Sequence, residues 1–337
     1  MVAKYSFKIG GGRSLPETVK LWKHHGSQDI EVINACNNLL KSIKHRSRIK
    51  YILGYRDDEV IAVFPVRILK DGSCHIAGSL ERLDYVDFLY SKAAEKDIEN
   101  LLKQFFSHLK KHYAVKRFTT RFVDPNSKTY KTLKTFKGFK LDEKVKNVKT
   151  ELKSSYEEYF TGLTKHSKQN IRTAYNRIEK SGKKYDFIVY RGAHNNLDKN
   201  GKRDVKECLN LYIKRQNNKY EHNDPLYRIK ANFANYISVS ARTDENMFTA
   251  ILKIDGKISA FFEGFYCKDY KSIEIPKLAI NIEDKFFSPG MVLLAETIKY
   301  LEKDKNIKYL DLCRGTEGYK YAIGGKDYDT INFTLKI

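Results

Sequence analysis

Two short stretches in the last third of the chain carry the residue types that chemistry needs. The first reads Phe287-Ser288-Pro289-Gly290-Met291. Ser is a good helix cap, Pro suits the first helical turn, and Gly withdraws a side chain from the approach. A helix opened in this way offers its N–H groups to an anion, a pyrophosphate above all. An ordinary capped helix uses the same residues, although Gly in the first turn costs helix stability. The second stretch, residues 309–320, reads YLDLCRGTEGYK. Asp311 sits on a strand, Arg314 leaves its end, and Thr316, Glu317, Tyr319 and Lys320 crowd into the turn beyond. Open α/β sheets hold their ligands at the carboxyl ends of parallel strands. Asp311 as a buried anchor and Glu317–Lys320 as a surface pair are the competing readings.

A third candidate lies mid-chain. Residues 165–180 place Ile171, Ala174, Tyr175 and Ile178 on one helical face and load the rest with Lys165, Lys168, Arg172 and Arg177. That pattern fits a phosphate clamp, and equally a solvated amphipathic helix. Other motifs fail on spacing. Gly10-Gly11-Gly12-Arg13 lacks the spacing and the Lys-Ser/Thr of a phosphate loop. His108 and His112 lie on one basic helix without a matching carboxylate, so no metal is expected. The five cysteines, at 36, 74, 208, 267 and 313, form no CxxC pair, which suits a reducing compartment.

The elements that would position these residues recur. In the first half, strands at 51–55 and 60–66 turn at Asp57-Asp58, a strand is expected near 85–89, a helix follows through Leu101, Phe105 and Leu109, and 117–123 reads as a buried strand. In the second half, 248–254 and 258–266 turn at Asp255-Gly256. A strand is expected at 278–282, a helix at 289–303, and a closing strand at 309–313. Strand, helix, strand with a short return predicts a parallel crossover in each half. The expected fold class is α/β with mixed α+β sheets, in two similar domains, 1–149 and 150–337.

At 337 residues the chain is long enough for two domains and needs no covalent staples. No apolar run reaches the length of a membrane span, and the N-terminus lacks the apolar stretch of a signal peptide, so a cytoplasmic protein is expected. Lys and Arg number 63 against 41 acidic residues, a net charge of +22. Residues 101–185 hold 22 basic and 7 acidic residues, and so carry +15 of that excess. An anionic partner is expected, whether nucleic acid, a membrane surface or a phosphorylated small molecule; lysine kept for solubility is the alternative.

The stretches IAVFPV at 61–66, DYVDFL at 84–89, the basic helix at 165–177, IDGKISA at 254–260, FSPGMVLL at 287–294 and DLCRGTEGYK at 311–320 resemble CelD/BcsL-type acetyltransferases of polysaccharide biosynthesis. These lie within the GNAT acyltransferase fold. The resemblance implies tandem GNAT-like halves, the first degenerate and the second binding acetyl-CoA or another acyl-CoA. It implies a donor seated between two splayed strands, at Leu278 and Ile280 and at 309–313, with Ser288, Pro289, Gly290, Met291 and Arg314 around its pyrophosphate. Tyr319, six residues past the second splayed strand, stands where GNAT enzymes often carry the acid for the departing thiolate; Glu317, Asp311 and Glu263 are the carboxylates available as base, with Glu317 favoured and Asp311 expected to hold the strand end. Glu263, Lys168, Arg172 and Lys320 are then assigned to the substrate. The implied acceptor is an amine, such as an amino sugar or glycan precursor, reached in the cytoplasm or at the inner face of the membrane. Fem-type transferases share tandem GNAT halves and take aminoacyl-tRNA, which the basic segment would suit. A nucleic-acid-binding module with a decayed donor site is the non-enzymatic alternative.

Overall fold

The computed structural model describes residues 3–10, 49–79, 83–219 and 244–337. Cys36 and residues 11–13 lie outside the described residues. The chain divides into two compact units, Met1–Val145 with Asp329–Ile337, and Lys146–Tyr328.

In the first unit, β1 (Ser6–Gly10), β2 (Ile49–Arg56), β3 (Glu59–Ile68), β4 (Ser73–Ile76), β5 (Leu89–Tyr90) and β6 (Arg117–Val123) are joined by α1 (Ile98–Tyr113), with α2 (Lys128–Leu133) following. The β2–β3 turn places Asp57 at φ 49° and Asp58 at φ 65°, the twist that matches two right-twisted strands. Strand β4 runs parallel to β6 through Ser73↔Arg117, Cys74↔Phe118 and His75↔Thr119. The strand expected at 85–89 is reduced to Leu89–Tyr90 beside β3, and the parallel partner of β6 is β4. Its polar sequence, SCHI, hid it. Helix α1 buries Leu101, Leu102, Phe105, Phe106 and Leu109, and Phe105 stacks on Phe64 with ring centres 3.9 Å apart. Strand β13 (Lys326–Lys336) pairs with β6 from Ile331 to Lys336. That pairing is why the chain's last residues group with the first unit, whereas the sequence division placed them in the second.

The second unit begins within β7 (Phe139–Glu151) and continues with α3 (Tyr156–Gly162), α4 (Lys165–Lys180), β8 (Tyr185–Arg191), α5 (Lys199–Lys219), β9 (Met247–Ile254) and β10 (Lys257–Cys267). Then come β11 (Ser272–Ile280), α6 (Pro289–Leu301), β12 (Tyr309–Arg314) and α7 (Gly318–Ala322). Its strand order is β7-β12-β11-β10-β9-β8, mixed, with β11 and β12 parallel. Asp255 at φ 48° and Gly256 at φ 76° close the β9–β10 hairpin as the two aspartates do in the first unit. Helices α4 and α6 cover one face of this sheet, burying Ala174, Ile178, Val292 and Leu294 against Phe248, Phe262, Leu310 and Leu312. Each Val, Leu, Ile or Phe side chain so removed from water contributes about 2 kcal/mol. Helix α5 covers the other face, with Cys208 against Ile251, Phe261 and Ala279. The fold is mixed α/β. Among the described residues no helix is long and apolar enough to cross a membrane.

Candidate active site

The site is built on the way β11 leaves β12. The two strands pair at Ser272↔Tyr309, Ile273↔Leu310 and Glu274↔Asp311, and no pair follows although both strands run on. The cause is a bulge. On the β10 side, Glu263 faces Lys277 but Phe265 faces Glu274, so Ile275 and Pro276 together oppose Gly264. Proline, which donates no N–H, is tolerated in a sheet at such a bulge. Gly264 is required there, since a Cβ on it would lie 2.0 Å from the Glu274 carbonyl oxygen. Pro276 also explains why the sequence placed this strand at 278–282. It reads as a strand breaker, and the true strand ends at Ile280, with a 3-10 turn over Ile282–Phe287.

Beyond the bulge, Lys277 and Ala279 face β10, and Asn281 N–H donates to Ser259 O at 2.7 Å. The main-chain groups of Leu278 and Ile280 therefore turn away from β10, into the gap beside β12. Arg215 of α5 reaches this gap and donates from Nη1 to Leu278 O at 2.9 Å. The side chains of Leu278 and Ile280 pack on the α4–α6 face.

Strand β12 bends where it borders the gap. Cys313 has φ 55°, and its N–H donates to Asp311 Oδ1 at 2.9 Å. Tyr328 donates its hydroxyl to the same carboxylate at 2.7 and 2.8 Å. Asp311 thus holds the strand end, and its oxygens are committed to that task. Lys320, 2% exposed, is likewise committed. Its Nζ donates to the carbonyls of Cys313 (3.3 Å), Arg314 (2.6 Å) and Gly315 (3.2 Å) and pairs with Glu317 Oε2 at 3.1 Å. This clamp welds the end of β12 to α7, which carries Tyr319. Lys320 is therefore a structural cation, not the substrate contact the sequence suggested.

Beside the gap lies a cavity of about 670 Å³. Helix α4 lines it with Thr164, His166, Ser167, Asn170, Thr173 and Arg177, α6 with Ser288 and Met291, and α7 with Gly318, Tyr319, Tyr321 and Ala322. Thr164 caps α4, accepting from Ser167 N–H at 3.1 Å. Ser288 at φ 49° starts α6, with Pro289 buried in its first turn. Arg177 donates to Phe286 O at 2.8 Å and its guanidinium lies 4.9 Å from the Phe286 ring centre, tying α4 to the loop before α6. Gly290 answers to packing: a Cβ there would come 3.2 Å from Ile280 Cγ2, so its bareness lets α6 approach β11. Tyr319 is half-buried, and burial first, then Glu317, raises its hydroxyl pKa, with Arg215 opposing. Tyr321 borders the same cavity but is more exposed, and it donates to Asp327 at 2.7 Å.

Three of the expected substrate residues, Lys168, Arg172 and Glu263, do not line this cavity. Arg172 is exposed over the Phe160 ring, and neither it nor Lys168 lines the cavity. Glu263 is 1% exposed on the α5 face, paired with Lys277 at 2.6 Å. Glu317 is about half exposed and pairs with Lys320, at the start of α7. Among the described residues no cluster of three His, Cys, Asp or Glu is placed to hold a metal. The polar stripe of α4 was missed, because charge alone drew attention to Lys168 and Arg172.

Residues 165–321, a little under half of the chain, match the acetyltransferase (GNAT) domain model. No curated protein matches this sequence. The solved structure of FemX is similar with a TM-score of 0.59 at 11% identity, covering 98% of this chain and 97% of that one. A conserved protein of unknown function from Bacteroides thetaiotaomicron gives 0.57 at 12%, covering 99% and 100%. A tandem GNAT protein from the clavulanic acid biosynthesis pathway gives 0.51 at 7%, covering 99% and 98%. Such identities establish a shared fold. The residues matched by that domain model include the splayed strands, most of the cavity's lining and Tyr319.

Proposed function

We propose that the protein is an N-acyltransferase that takes an acyl group from acyl-CoA and gives it to an amine. One observation carries this reading: β11 and β12 part after three paired residues, leaving the Leu278 and Ile280 main chain turned into a gap beside the cavity. An extended pantetheine arm adds to such an edge as a strand does, through main-chain hydrogen bonds. The pyrophosphate then lies in the cavity at the start of α6, with Ser288 and Arg177 of α4 near it.

The chemistry follows from the neighbours. The amine nitrogen attacks the thioester carbonyl, and a C–N bond forms as the C–S bond breaks. The Leu278 N–H, fixed before the reaction, faces the developing oxyanion. The departing thiolate takes a proton from Tyr319, whose raised pKa keeps it protonated at neutral pH. The amine's proton leaves through water to Glu317, the half-exposed carboxylate at the start of α7. An amino sugar or glycan precursor of polysaccharide biosynthesis, met at the inner membrane face, is the acceptor we favour on the CelD/BcsL resemblance.

Thermal denaturation with coenzyme A, acetyl-CoA and tRNA tests the donor. At a hundred times the dissociation constant, CoA should add about 2.7 kcal/mol. A response to tRNA with none to millimolar CoA would refute this donor and favour a Fem-type one.

A further inference from the structure

The gap between β11 and β12 is reached from both faces of the sheet. The cavity opens on the face covered by α4 and α6. From the other face comes α5, whose Arg215 takes the Leu278 carbonyl at 2.9 Å and acts electrostatically on Tyr319. A donor filling the cavity leaves the α5 face as the approach for the amine.

Arg215 differs from the unit's cations that are held by carboxylates, and from Arg177, which ties α4 to the loop before α6, by standing on the α5 face of the gap. Lys253 meets Asp204 at 2.8 Å, Lys277 meets Glu263 at 2.6 Å, Lys299 meets Glu296 at 2.6 Å and Lys320 meets Glu317 at 3.1 Å. Arg215 is half-buried, and among the described residues no carboxylate is paired with it. A partly desolvated guanidinium bonded to one neutral carbonyl keeps most of its five donors and its full charge for another group. Planar forks of this kind recognise carboxylate and phosphate in two-point contacts. We infer that Arg215 is the acceptor's anion clamp, and that the acceptor is an amine carrying an oxyanion, carboxylate or phosphate, a few bonds from the reacting nitrogen. The inference rests on the acyl-CoA reading above and deepens it by naming the acceptor's class.

Matched acceptors test it on the full chain. Acetyl-CoA thiol release is followed with glycine against glycinamide, and with glucosamine 6-phosphate against glucosamine. The carboxylate and phosphate pairs identify which oxyanion is read. The anionic member of at least one pair should be favoured about 10–100-fold in kcat/KM, as one charge-assisted contact allows. Arg215→Met should abolish that preference and Arg215→Lys should restore part of it, each read as the ratio of anionic to neutral acceptor, in which any change in CoA affinity cancels. Three results overturn the inference: neutral partners used equally well, a preference that survives in Arg215→Met, or no acceleration by any anionic amine while CoA binds. Failure of the unaltered protein to bind CoA would remove the donor reading and the clamp with it.

Discussion

Gly264→Ala probes the bulge that opens the site. The added Cβ would lie 2.0 Å from Glu274 O, 3.1 Å from Glu274 C and 3.4 Å from Ile275 Cα. A carbon–oxygen contact of even the weakly attractive kind needs about 3.3 Å, so β10 and β11 must move apart by more than ~1 Å. All three obstructing atoms are main chain, which no rotamer change relieves. Overpacking of this kind costs about 3 kcal/mol, the upper part of the usual range. In a unit of this size, that lowers Tm by roughly 6–12 °C. Because the displaced segment is the one that turns Leu278 into the gap, CoA affinity should fall at least tenfold as well. Thermal denaturation and calorimetric CoA titration measure both. Gly162→Ala is the control, since a Cβ there would meet nothing within 4 Å, and it should be neutral or slightly stabilising. A Gly264→Ala protein that keeps its stability within ~0.5 kcal/mol and binds CoA unchanged would show that the bulge neither demands glycine nor shapes the donor site.

Tyr319→Phe should lower acetyl transfer by ~10²-fold with CoA affinity unchanged, and Tyr321→Phe by much less; equal losses would deny Tyr319 its role as the acid. Lys320→Met strands three main-chain carbonyls and should cost about 2–3 kcal/mol in urea denaturation, whereas unchanged stability would return Lys320 to the substrate. Burial pushes the His75 imidazole down to about 4, so it is neutral in the fold and charges first in the unfolded chain. Stability should therefore fall by on the order of 3 kcal/mol as pH drops from about 6.5 to 4, and His75→Gln should flatten that slope in acid denaturation monitored by fluorescence.

The fold was legible wherever apolar periodicity and turn chemistry agreed. Both hairpins follow from alternating strands around Asp57-Asp58 and Asp255-Gly256, and α1 from the spacing of Leu101, Phe105 and Leu109. The two strands that were lost or shifted are the ones each unit uses as the parallel partner across its crossover helix. Strand β4 is four residues of mixed polarity, and β11 carries Pro276 in mid-strand. Both lie where a sheet departs from regular pairing, so a rule based on regular strands misplaces them.

The site was legible by residue type and less so by face. Ser288, Met291 and Tyr319 stand out for their chemistry and do border one cavity. On α4, selection by charge chose Lys168 and Arg172, while geometry favours Arg177. The buried residues Ser167, Ile171, Ala174 and Ile178 fix which side of α4 faces inward. Residues 166, 170, 173 and 177 run along one edge of that side, and eleven residues make about three helical turns, so the first and last lie nearly above one another. Residues 168 and 172 stand on the stripe's other edge, roughly a third to half a turn round the helix from those four, out of reach of the same ligand. The apolar stripe, which sequence alone reveals, thus sorts a helix's cations onto two edges that cannot share a ligand, and ranking those cations by charge discards that information.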